Sequence, residues 1–588
     1  MRGLSSQRKP RIHVADTSRS IKRCSAQIPM EIQVWSNKVA SCIGEEFRTA
    51  KTARKRKAGC LALPIVKIAM KLLKKSAFAA VPTDKNGGFA IMKSSEEVAS
   101  HITLLEAKKH AKPTYVQIAC SNDDKKTYIA NAKQRISTLA KEVAVVENDQ
   151  GLKRAIEALA HYKHARFWSS LTVNCKTHKP PGEVSFRGIH STPGYAWAGL
   201  AQYVAQELRD QLQRQAHLVN DSAFMKEKVK VLPCTPNHFW VKLDIEEYYM
   251  SGEPSELCND AGNIIRGNKA AFVKRILFEL LNEQYVESKA TPGKMWKVAK
   301  GSGMGLKHSG ETADAALFTR VMEWATREET CKTFGIDGIF QFRDDILMLC
   351  NDSEAFEEFF AQLSKHAGYF TISFDEKSFE SIDWLDITIF RHNSRWLIKP
   401  FFKKSNIGVP LSCPSAHNPA VHLSWPGQVI RRLGDRSSTP MLALEAKQAY
   451  IDQCLGNIAD ERTVEVLESS DPWTRWAPKS WVKKKERRRV FLPLPFFPGV
   501  ARSIEAEVQK CQSNEDLIRL HKMASEGEEM PQICIAWYNK WKPLMHTMRK
   551  LSAEKITEEV SRRTAGDGGM EFVAADLAVK PPDVFRSF

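Results

Sequence analysis

The hydrophobic and polar positions of the chain change their period from one segment to the next. From Ile65, the stretch IVKIAMKLLKKSAFAAVP predicts an amphipathic helix that runs into a strand. Residues 94–165 repeat apolar positions at helical spacing, and residues 425–470 do so again. From 166 to about 400, short β-rich runs alternate with helices. This order predicts an α+β domain with an antiparallel sheet, flanked by mainly helical segments.

Two of the β-rich runs carry acidic residues among apolar ones. In FWVKLDIEEYYM, alternation places the apolar side chains on one face and Asp244 on the other. GIFQFRDDILMLC predicts a hairpin of strands Ile339–Arg343 and Ile346–Cys350, with Asp344 and Asp345 at the junction. Tight hairpin turns prefer Gly or Asn, so two acids at this position are unusual.

Adjacent carboxylates repel each other, and an acid inside an apolar strand is unfavourable unless it is paired or binds a metal. A pair of Mg²⁺ ions held by Asp244 and by the hairpin acids offsets both effects and supports phosphoryl transfer. The simpler interpretation of either feature alone is an ordinary turn or cap. Together, about a hundred residues apart in a basic protein, they favour a catalytic site.

Composition points to a polyanionic partner. The 588 residues include 87 Lys and Arg against 68 Asp and Glu, which gives a formal net charge of +19 and a pI near 9.3. Nucleic acid is the first expectation and an anionic membrane the second. No apolar run is long enough to span a membrane, and the 13 Cys form no CxxC pair, which fits a reduced compartment.

Basic residues cluster in two segments. Residues 1–60 hold 14 Lys and Arg against 4 Asp and Glu, densest in KTARKRK. A solvated tail, a nucleic-acid-binding arm, a nuclear import signal and a mitochondrial presequence all remain open for this segment. The second cluster, in WVKKKERRRV, comprises Lys483, Lys484, Lys485, Arg487, Arg488 and Arg489. The Pro-broken FLPLPFFPGV that follows it predicts a loop or an edge strand.

Several segments resemble one family in order and spacing. Phe342–Asp345 resembles the aromatic-x-Asp-Asp hairpin of reverse transcriptases, and Asp244 with Tyr249 resembles their first catalytic strand. The remaining segments resemble Penelope-like element reverse transcriptases in particular: AVPTDKNGGFAIM, KTHKPPGEVSFRGIHSTPGYAWAGLAQYVAQEL, GSGMGLKHSGETAD, DWLDITIF, KPFFKKSNIGVPLSCPSAHNPAVHLSWPGQVIRRL and ICIAWYNKWKPL. The resemblance covers roughly residues 70–545. Telomerase reverse transcriptase is a more distant relative of that family.

The resemblance implies a right-hand polymerase with fingers, a palm built on an antiparallel sheet, a helical thumb and a helical N-terminal extension. The expected segments are a basic arm without stable structure, the helical extension, the fingers and palm, the thumb and a flexible tail, at residues 1–66, 67–165, 166–400, 401–560 and 561–588. The implied activity is RNA-directed DNA synthesis from a primer 3′ end. The implied partners are an RNA template, a DNA primer or RNA–DNA duplex and deoxynucleoside triphosphates, with no membrane.

The same resemblance implies a role for individual residues. Asp244, Asp344 and Asp345 would bind two Mg²⁺ ions, with Mn²⁺ as a possible substitute, and the Ile245 carbonyl would add a ligand. Tyr249 would be a steric gate that excludes the ribose 2′-hydroxyl; a core aromatic is the alternative. The remaining substrate-binding positions implied are Lys176, Arg187, Gly303, Gly305 and Lys377.

Each of those five positions has a structural alternative. Lys176 and Arg187 would bind the triphosphate, but a solvated Lys and a structural ion pair are the alternatives. Gly303 and Gly305 would let the backbone approach the nucleotide, or simply form a turn. Lys377 lies where a proton donor to pyrophosphate is expected, although its register there is weak. The basic cluster at 483–489 would contact duplex phosphates.

The sequence departs from the family at two points. Leu306-Lys307 replaces the usual Ser-Pro after Met-Gly, and Gly188 stands where Pro usually follows the fingers Arg. No endonuclease module is recognisable, so we expect an endonuclease-deficient type. The altered loop leaves open a catalytically inactive polymerase-derived nucleic-acid-binding protein. An RNA-templated RNA polymerase is a further alternative, against which Tyr249 as a gate argues.

Cys413, His417 and His422 have the chemistry of zinc ligands, but a fourth ligand is missing from the pattern and structural roles are favoured.

A nuclear location is expected, while cytoplasm and mitochondrion stay open. Template identity, priming mode, oligomeric state and protein partners are not determined by the sequence.

Overall fold

The computed structural model describes just under two thirds of the chain in detail. The described residues are 77–84, 89–106, 108–109, 112–118, 120–176, 185–402, 419–455, 461–473, 489–495, 506, 508–509, 513, 515, 532–538 and 554–561. The chain forms two compact units. One comprises residues 1–68, 413–425 and 478–543, and the other comprises 69–412, 426–477 and 544–588. The second unit contains almost all of the elements described below.

Strands and helices alternate along the described residues, as an α+β chain requires. The strands are β1 (Phe78–Pro82), β2 (Phe89–Lys93), β3 (Lys108–Lys109), β4 (Lys112–Pro113), β5 (Tyr115–Ile118), β6 (Ser169–Cys175), β7 (Phe186–Ser191), β8 (Phe239–Glu246), β9 (Tyr285–Glu287), β10 (Met295–Val298), β11 (Ile336–Phe342), β12 (Asp345–Cys350), β13 (Thr371–Ser378), β14 (Ser381–Trp384), β15 (Ile387–His392), β16 (Arg395–Pro400), β17 (Arg489–Pro495) and β18 (Gln532–Tyr538).

The helices lie before, between and after these strands. They are α1 (Ser94–Glu106), α2 (Asn122–Val146), α3 (Gln150–Ala160), α4 (Ala198–Leu212), α5 (Met225–Lys228), α6 (Pro254–Asn263), α7 (Ala270–Asn282), α8 (Ser309–Leu317), α9 (Glu323–Ala325), α10 (Glu328–Thr333), α11 (Ser353–His366), α12 (Pro419–Asp435), α13 (Pro440–Leu455) and α14 (Glu461–Ser469). The expected α+β class and the helical pattern at 425–470 are thereby confirmed.

A four-stranded antiparallel sheet, in the order β11-β12-β8-β13, organises the second unit. Period-2 alternation gives this sheet two faces. One face contributes Phe239 and Leu243 to the largest core, which also holds Phe356 of α11. On the other face, Trp240 packs against Trp396 with ring centroids 5.5 Å apart, so the β14-β15-β16 sheet covers that end of the face. The antiparallel sheet expected from the sequence is therefore present.

A second sheet joins the N-terminal part of the unit to the middle of the chain. Its order is β5-β10-β9-β6-β7, and only the β6–β9 pair is parallel. The predicted helical extension contains α1 to α3, with Ser121 and Asp124 forming a capping box at the start of α2. It also contains strands, since β5 pairs with β10.

In the other unit, β17 pairs with β18 in parallel. The Pro-containing segment after the basic cluster, predicted to be a loop or an edge strand, is thus a strand with one described neighbour. Pro493 and Pro495 lack a backbone N–H, so they cannot donate to a second neighbour. Among the described residues, no helix combines the length and apolar character needed to cross a membrane.

Candidate active site

Asp244 and Asp345 lie directly opposite each other on the adjacent antiparallel strands β8 and β12. Residues in such a pair project from the same face of the sheet, with Cβ atoms about 4.5–5.5 Å apart. Arg343 and Asp344 form the two-residue turn between β11 and β12. The pairing of Phe342 with Asp345 closes this turn. The structure therefore brings together the three aspartates that the sequence singled out.

Negative charge accumulates at this end of the sheet. Burial, then the charges of Asp344 and Asp375, raise the pKa of Asp244 above its usual value. Lys242, two residues earlier on the same face, is engaged with Asp375 at 2.7 Å. Among the described residues, neither Asp244 nor Asp344 forms a salt bridge with Lys or Arg. Such a cluster favours the binding of a cation from solution.

The donor set fits Mg²⁺ or Mn²⁺ assisted by substrate. Within the described part of the chain, no three acidic, His or Cys side chains form a ready-made metal cage. Mg²⁺ commonly binds one or two carboxylates and completes its octahedron with waters and substrate phosphates. Pairing with β12 ends at Asp244, so Ile245 extends beyond the hairpin and keeps only its β13 partner, Ile372. The Ile245 carbonyl therefore belongs to backbone at the edge of the candidate site.

The sheet face itself explains why the acids are reachable. Trp240 and Leu347, further along the same face, are fully buried beneath the β14–β16 sheet. Asp244, Asp344 and Asp345, at the opposite end, are each only partly buried. The face is thus apolar where it is covered and acidic where it is accessible to substrate.

Tyr249 lies immediately beyond β8. The strand ends at Glu246, Glu247 adopts a left-handed conformation with φ of 49°, and a 3₁₀ turn spans Tyr248–Met250. Burial raises the pKa of Tyr249, and the charges of Arg343 and Asp344 also act on its hydroxyl. The Tyr249 ring is partly buried and packs against the largest core, in agreement with the core-aromatic alternative, and its role as a steric gate stays a prediction.

The loop that contains Gly303 and Gly305, the glycine loop, packs against β7. A Cβ on Gly303 would lie 2.2 Å from the His190 ring, and one on Gly305 would lie 2.6 Å from the His190 carbonyl oxygen. Gly305 also has φ of +109°, which disfavours any other residue. Contact with β7 therefore accounts for both glycines, and their predicted approach to a nucleotide stays a prediction. Leu306, which replaces the family's Ser, is buried in the largest core.

Lys176 and Arg187 lie at the end of the β6–β7 pair that residues 177–184 connect. The Lys176 N–H donates to the Ser185 carbonyl at 2.9 Å. Arg187 forms an ion pair with Asp84 at 3.2 Å, and the Asp84 side chain is almost fully buried. The structural ion pair that the sequence left open for Arg187 is thus present.

Lys377 lies on the wrong face of the sheet for the predicted proton donor. A β-bulge between Phe374 and Glu376 shifts the register by one residue, so Lys377 pairs with Val241. Its ammonium lies 4.4 Å from the centroid of the Phe239 ring and donates to the Ser353 hydroxyl at 2.5 Å. Both contacts are on the face that is opposite Asp244.

Sequence reasoning missed the residues that hold the hairpin turn. Arg343, the variable position before the two acids, pairs with Asp314 and lies 3.5 Å from Glu311. Tyr248 donates to Asp314 at 2.6 Å. The spacing of Glu311 and Asp314, three residues apart on a helix, was the available signal, because it places both acids on one face.

Some predictions concern residues outside the described part of the chain. They are Lys483, Lys484, Lys485, Arg487 and Arg488 of the basic cluster, together with Cys413 and His417 of the candidate zinc group. Arg489 begins β17, and His422 lies within α12. The roles predicted for these residues stay predictions.

The sequence matches no family model and no curated protein. Among solved structures, the chain is similar to the telomerase of Candida albicans in complex with a telomeric RNA fragment, with a TM-score of 0.40, 10% identity and coverage of 78% of this chain and 75% of that one. The chain is also similar to the RNA-dependent RNA polymerase of a human picobirnavirus, with a TM-score of 0.39 and 12% identity. That match covers 72% of this chain and 83% of the viral polymerase.

A truncated apo telomerase from Candida tropicalis gives a TM-score of 0.35 at 9% identity, with coverage of 56% of this chain. The chain spans 64% of the length of that telomerase. All three TM-scores are below 0.5, so the functional argument rests on the geometry of the aspartates.

Proposed function

We propose that the chain is an RNA-directed DNA polymerase, a reverse transcriptase that extends a primer 3′ end by two-metal phosphoryl transfer. One observation carries the proposal: Asp244 and Asp345 face each other across β8 and β12, with Asp344 on the adjoining turn. Acidic side chains on adjacent strands, accessible at one end of a sheet face, provide the hard oxygen ligands that this chemistry uses.

In this proposal, Asp244, Asp344 and Asp345 hold two divalent cations. When bound, the cations lower the pKa of the primer 3′-hydroxyl and neutralise the triphosphate and the leaving pyrophosphate. The protein's own part is to hold the carboxylates at fixed spacing on two hydrogen-bonded strands. Tyr249 presents its ring beside them and excludes the ribose 2′-hydroxyl. Arg187 and Lys176, at the end of the β6–β7 pair, supply cationic donors for the triphosphate.

The finer assignment follows from the sequence motifs. Their order and spacing favour a Penelope-like element reverse transcriptase, for which we propose a nuclear location. The implied substrates are an RNA template, a DNA primer and deoxynucleoside triphosphates. The net charge of +19 supports a nucleic-acid substrate, because sequence-independent affinity comes from Lys and Arg contacts to phosphates.

Primer extension tests the proposal. The full chain is given a DNA primer on an RNA template, Mg²⁺ and either deoxyribo- or ribonucleotides. Extension with deoxynucleotides supports the proposal, and extension with ribonucleotides alone favours an RNA polymerase. Template binding without extension by either set favours the inactive binding protein.

Asp344→Asn supplies the critical variant. It should abolish extension and leave primer–template affinity nearly unchanged, since binding relies on cationic contacts elsewhere. The matched control is Asp383→Asn in β14, whose carboxylate accepts from Thr388 at 2.5 Å, outside the site. If Asp344→Asn extends primers within about tenfold of the wild-type rate, roughly 1.4 kcal/mol of barrier, the metal assignment is wrong.

A further inference from the structure

Arg343 occupies a position in the hairpin turn that ordinarily suits another residue. Its φ of 56° is left-handed. Two-residue hairpin turns with such a backbone favour Gly, Asn or Asp, because a Cβ is crowded there. Its side chain is also two-thirds buried. A residue that is unfavourable for the turn is retained at the centre of the site, which calls for a function of its side chain.

The guanidinium is held by two acids on one helix. Asp314 and Glu311 lie three residues apart on α8 and therefore on the same face. Glu311 is itself fixed by Arg209 at 2.6 Å. Gly310 makes the close approach possible, because a Cβ there would lie 2.8 Å from an Arg343 nitrogen. The contact between Arg343 and α8 therefore depends on four other residues and is more than a single surface ion pair.

Asp314 joins the two segments that carry the candidate metal ligands. One of its carboxylate oxygens accepts from the Tyr248 hydroxyl at 2.6 Å, and Tyr248 lies four residues after Asp244. The other oxygen pairs with Arg343, which directly precedes Asp344. The carboxyl group is buried, so neither bond competes freely with water. A single side chain therefore fixes the end of β8 relative to the β11–β12 turn.

We propose that Asp314 and Arg343 are positioning residues that set the spacing between Asp244 and the Asp344–Asp345 pair. The inference rests on the proposed function, since it concerns the site of that reaction. Metal-dependent catalysis requires its ligands to be held within a fraction of an ångström, and contacts behind the ligands supply that precision. Loss of the Asp314–Arg343 pair frees the turn and weakens the metal site, while both strands stay paired.

Two isosteric or turn-compatible variants test this role in the full chain. In Asp314→Asn, the amide oxygen still accepts from Tyr248, but the ion pair with Arg343 is lost. In Arg343→Asn, the new residue tolerates the left-handed turn and only the guanidinium is removed. Arg343→Lys keeps the cation and should restore part of the function. Mn²⁺ affinity is measured by calorimetry with the metal alone, beside single-turnover extension rates and melting temperatures.

The chain provides a control with the same three residue types. Arg320 pairs with Asp260, and Asp260 accepts from the Tyr369 hydroxyl at 2.8 Å. None of the three lies in β8 or in the β11–β12 hairpin. Asp260→Asn and Arg320→Asn therefore remove an equivalent buried ion pair. They should lower the melting temperature to a similar extent without changing Mn²⁺ affinity.

We expect Asp314→Asn and Arg343→Asn each to weaken Mn²⁺ binding and to slow single-turnover extension about tenfold or more. The double variant should be little worse than either single one, because both remove the same contact. Normal Mn²⁺ affinity in both variants, with only a lower melting temperature, overturns the positioning role. In that case Asp344→Asn still loses Mn²⁺, and the proposed function stands. If Asp344→Asn itself binds Mn²⁺ normally, the proposed function and the positioning role both fail.

Discussion

Gly303 lies against the imidazole ring of His190, so closely that a Cβ would stand 2.2 Å from a ring nitrogen. His190 is fully buried, bonded to the Tyr115 hydroxyl at 3.0 Å and to Ser169. Burial lowers the pKa of His190 to about 4, so the ring is neutral at physiological pH. The glycine loop is therefore seated on a fixed neutral side chain of β7.

Gly303→Ala should destabilise the protein by about 1–3 kcal/mol, because the ring cannot move without breaking its own bonds. Chemical denaturation measures the change. Gly188→Ala is the control, since the nearest atom to its Cβ would be the flexible end of Leu171 at 3.3 Å. In a His190→Ala background the cost of Gly303→Ala should largely disappear. An equal cost in both backgrounds would contradict the packing explanation.

Tyr249→Ala should admit ribonucleotides and preserve the use of deoxynucleotides. Tyr249 follows the chain reversal at Glu247 that ends β8, so truncation opens space without removing a carboxylate. We expect the ribo/deoxy ratio of kcat/KM to rise at least tenfold, about 1.4 kcal/mol of lost discrimination. Steady-state incorporation of one ribonucleotide and its deoxy counterpart provides the measurement.

Tyr249→Phe is the matched control, because it keeps the ring and should keep the discrimination. The core-aromatic alternative predicts something different for Tyr249→Ala: both activities fall together and stability drops by about 3–5 kcal/mol. A constant ribo/deoxy ratio with a collapsed melting temperature would remove Tyr249 from the site.

Asp244→Asn should stabilise the metal-free protein at neutral pH. Burial and Asp344 raise the pKa of Asp244 above 3.8, so the folded state binds this proton more tightly than the unfolded state. Stability from Asp244 is therefore complete below pH 3.8 and is lost as pH rises through the raised pKa. The gain from Asn should appear at pH 7 and shrink toward pH 4.

Melting curves in EDTA across that range measure the gain. With Mn²⁺ present, the wild type should be the more stable protein, because the ion stabilises its intact site. The variant lacks one of the ligands and should gain less. A variant less stable than wild type in EDTA at pH 7 would show that the Asp244 carboxylate is compensated by a group other than a metal.

Arg187→Ala should raise the KM for deoxynucleotides about tenfold if its guanidinium meets the triphosphate. Asp84 pairs with Arg187 at 3.2 Å. Asp84→Asn removes the charge of this partner and leaves the Arg187 guanidinium in place. We therefore expect a smaller KM change in Asp84→Asn than in Arg187→Ala. Equal losses of stability in both variants, with an unchanged KM, would leave Arg187 as a structural ion pair alone.

The fold class and the three aspartates could be predicted from local sequence patterns. Alternation in β8 and in the β11–β12 hairpin identifies strands with acids on one face, because side-chain direction in a strand depends only on parity. The β-bulge before Glu376 has no such local signature, so the sequence did not show that Lys377 would lie on the face opposite Asp244.

The strand that carries Asp244 and the hairpin that carries Asp344 and Asp345 follow from the sequence, because alternating apolar and polar positions reveal both. The residues that support these acids were decided by how the folded chain packs. Asp314 reaches Tyr248 and Arg343 because α8 packs beside both segments, and Gly303 must be Gly because β7 passes beneath it. Such contacts join residues distant in the chain, and no periodicity along one strand or helix encodes them.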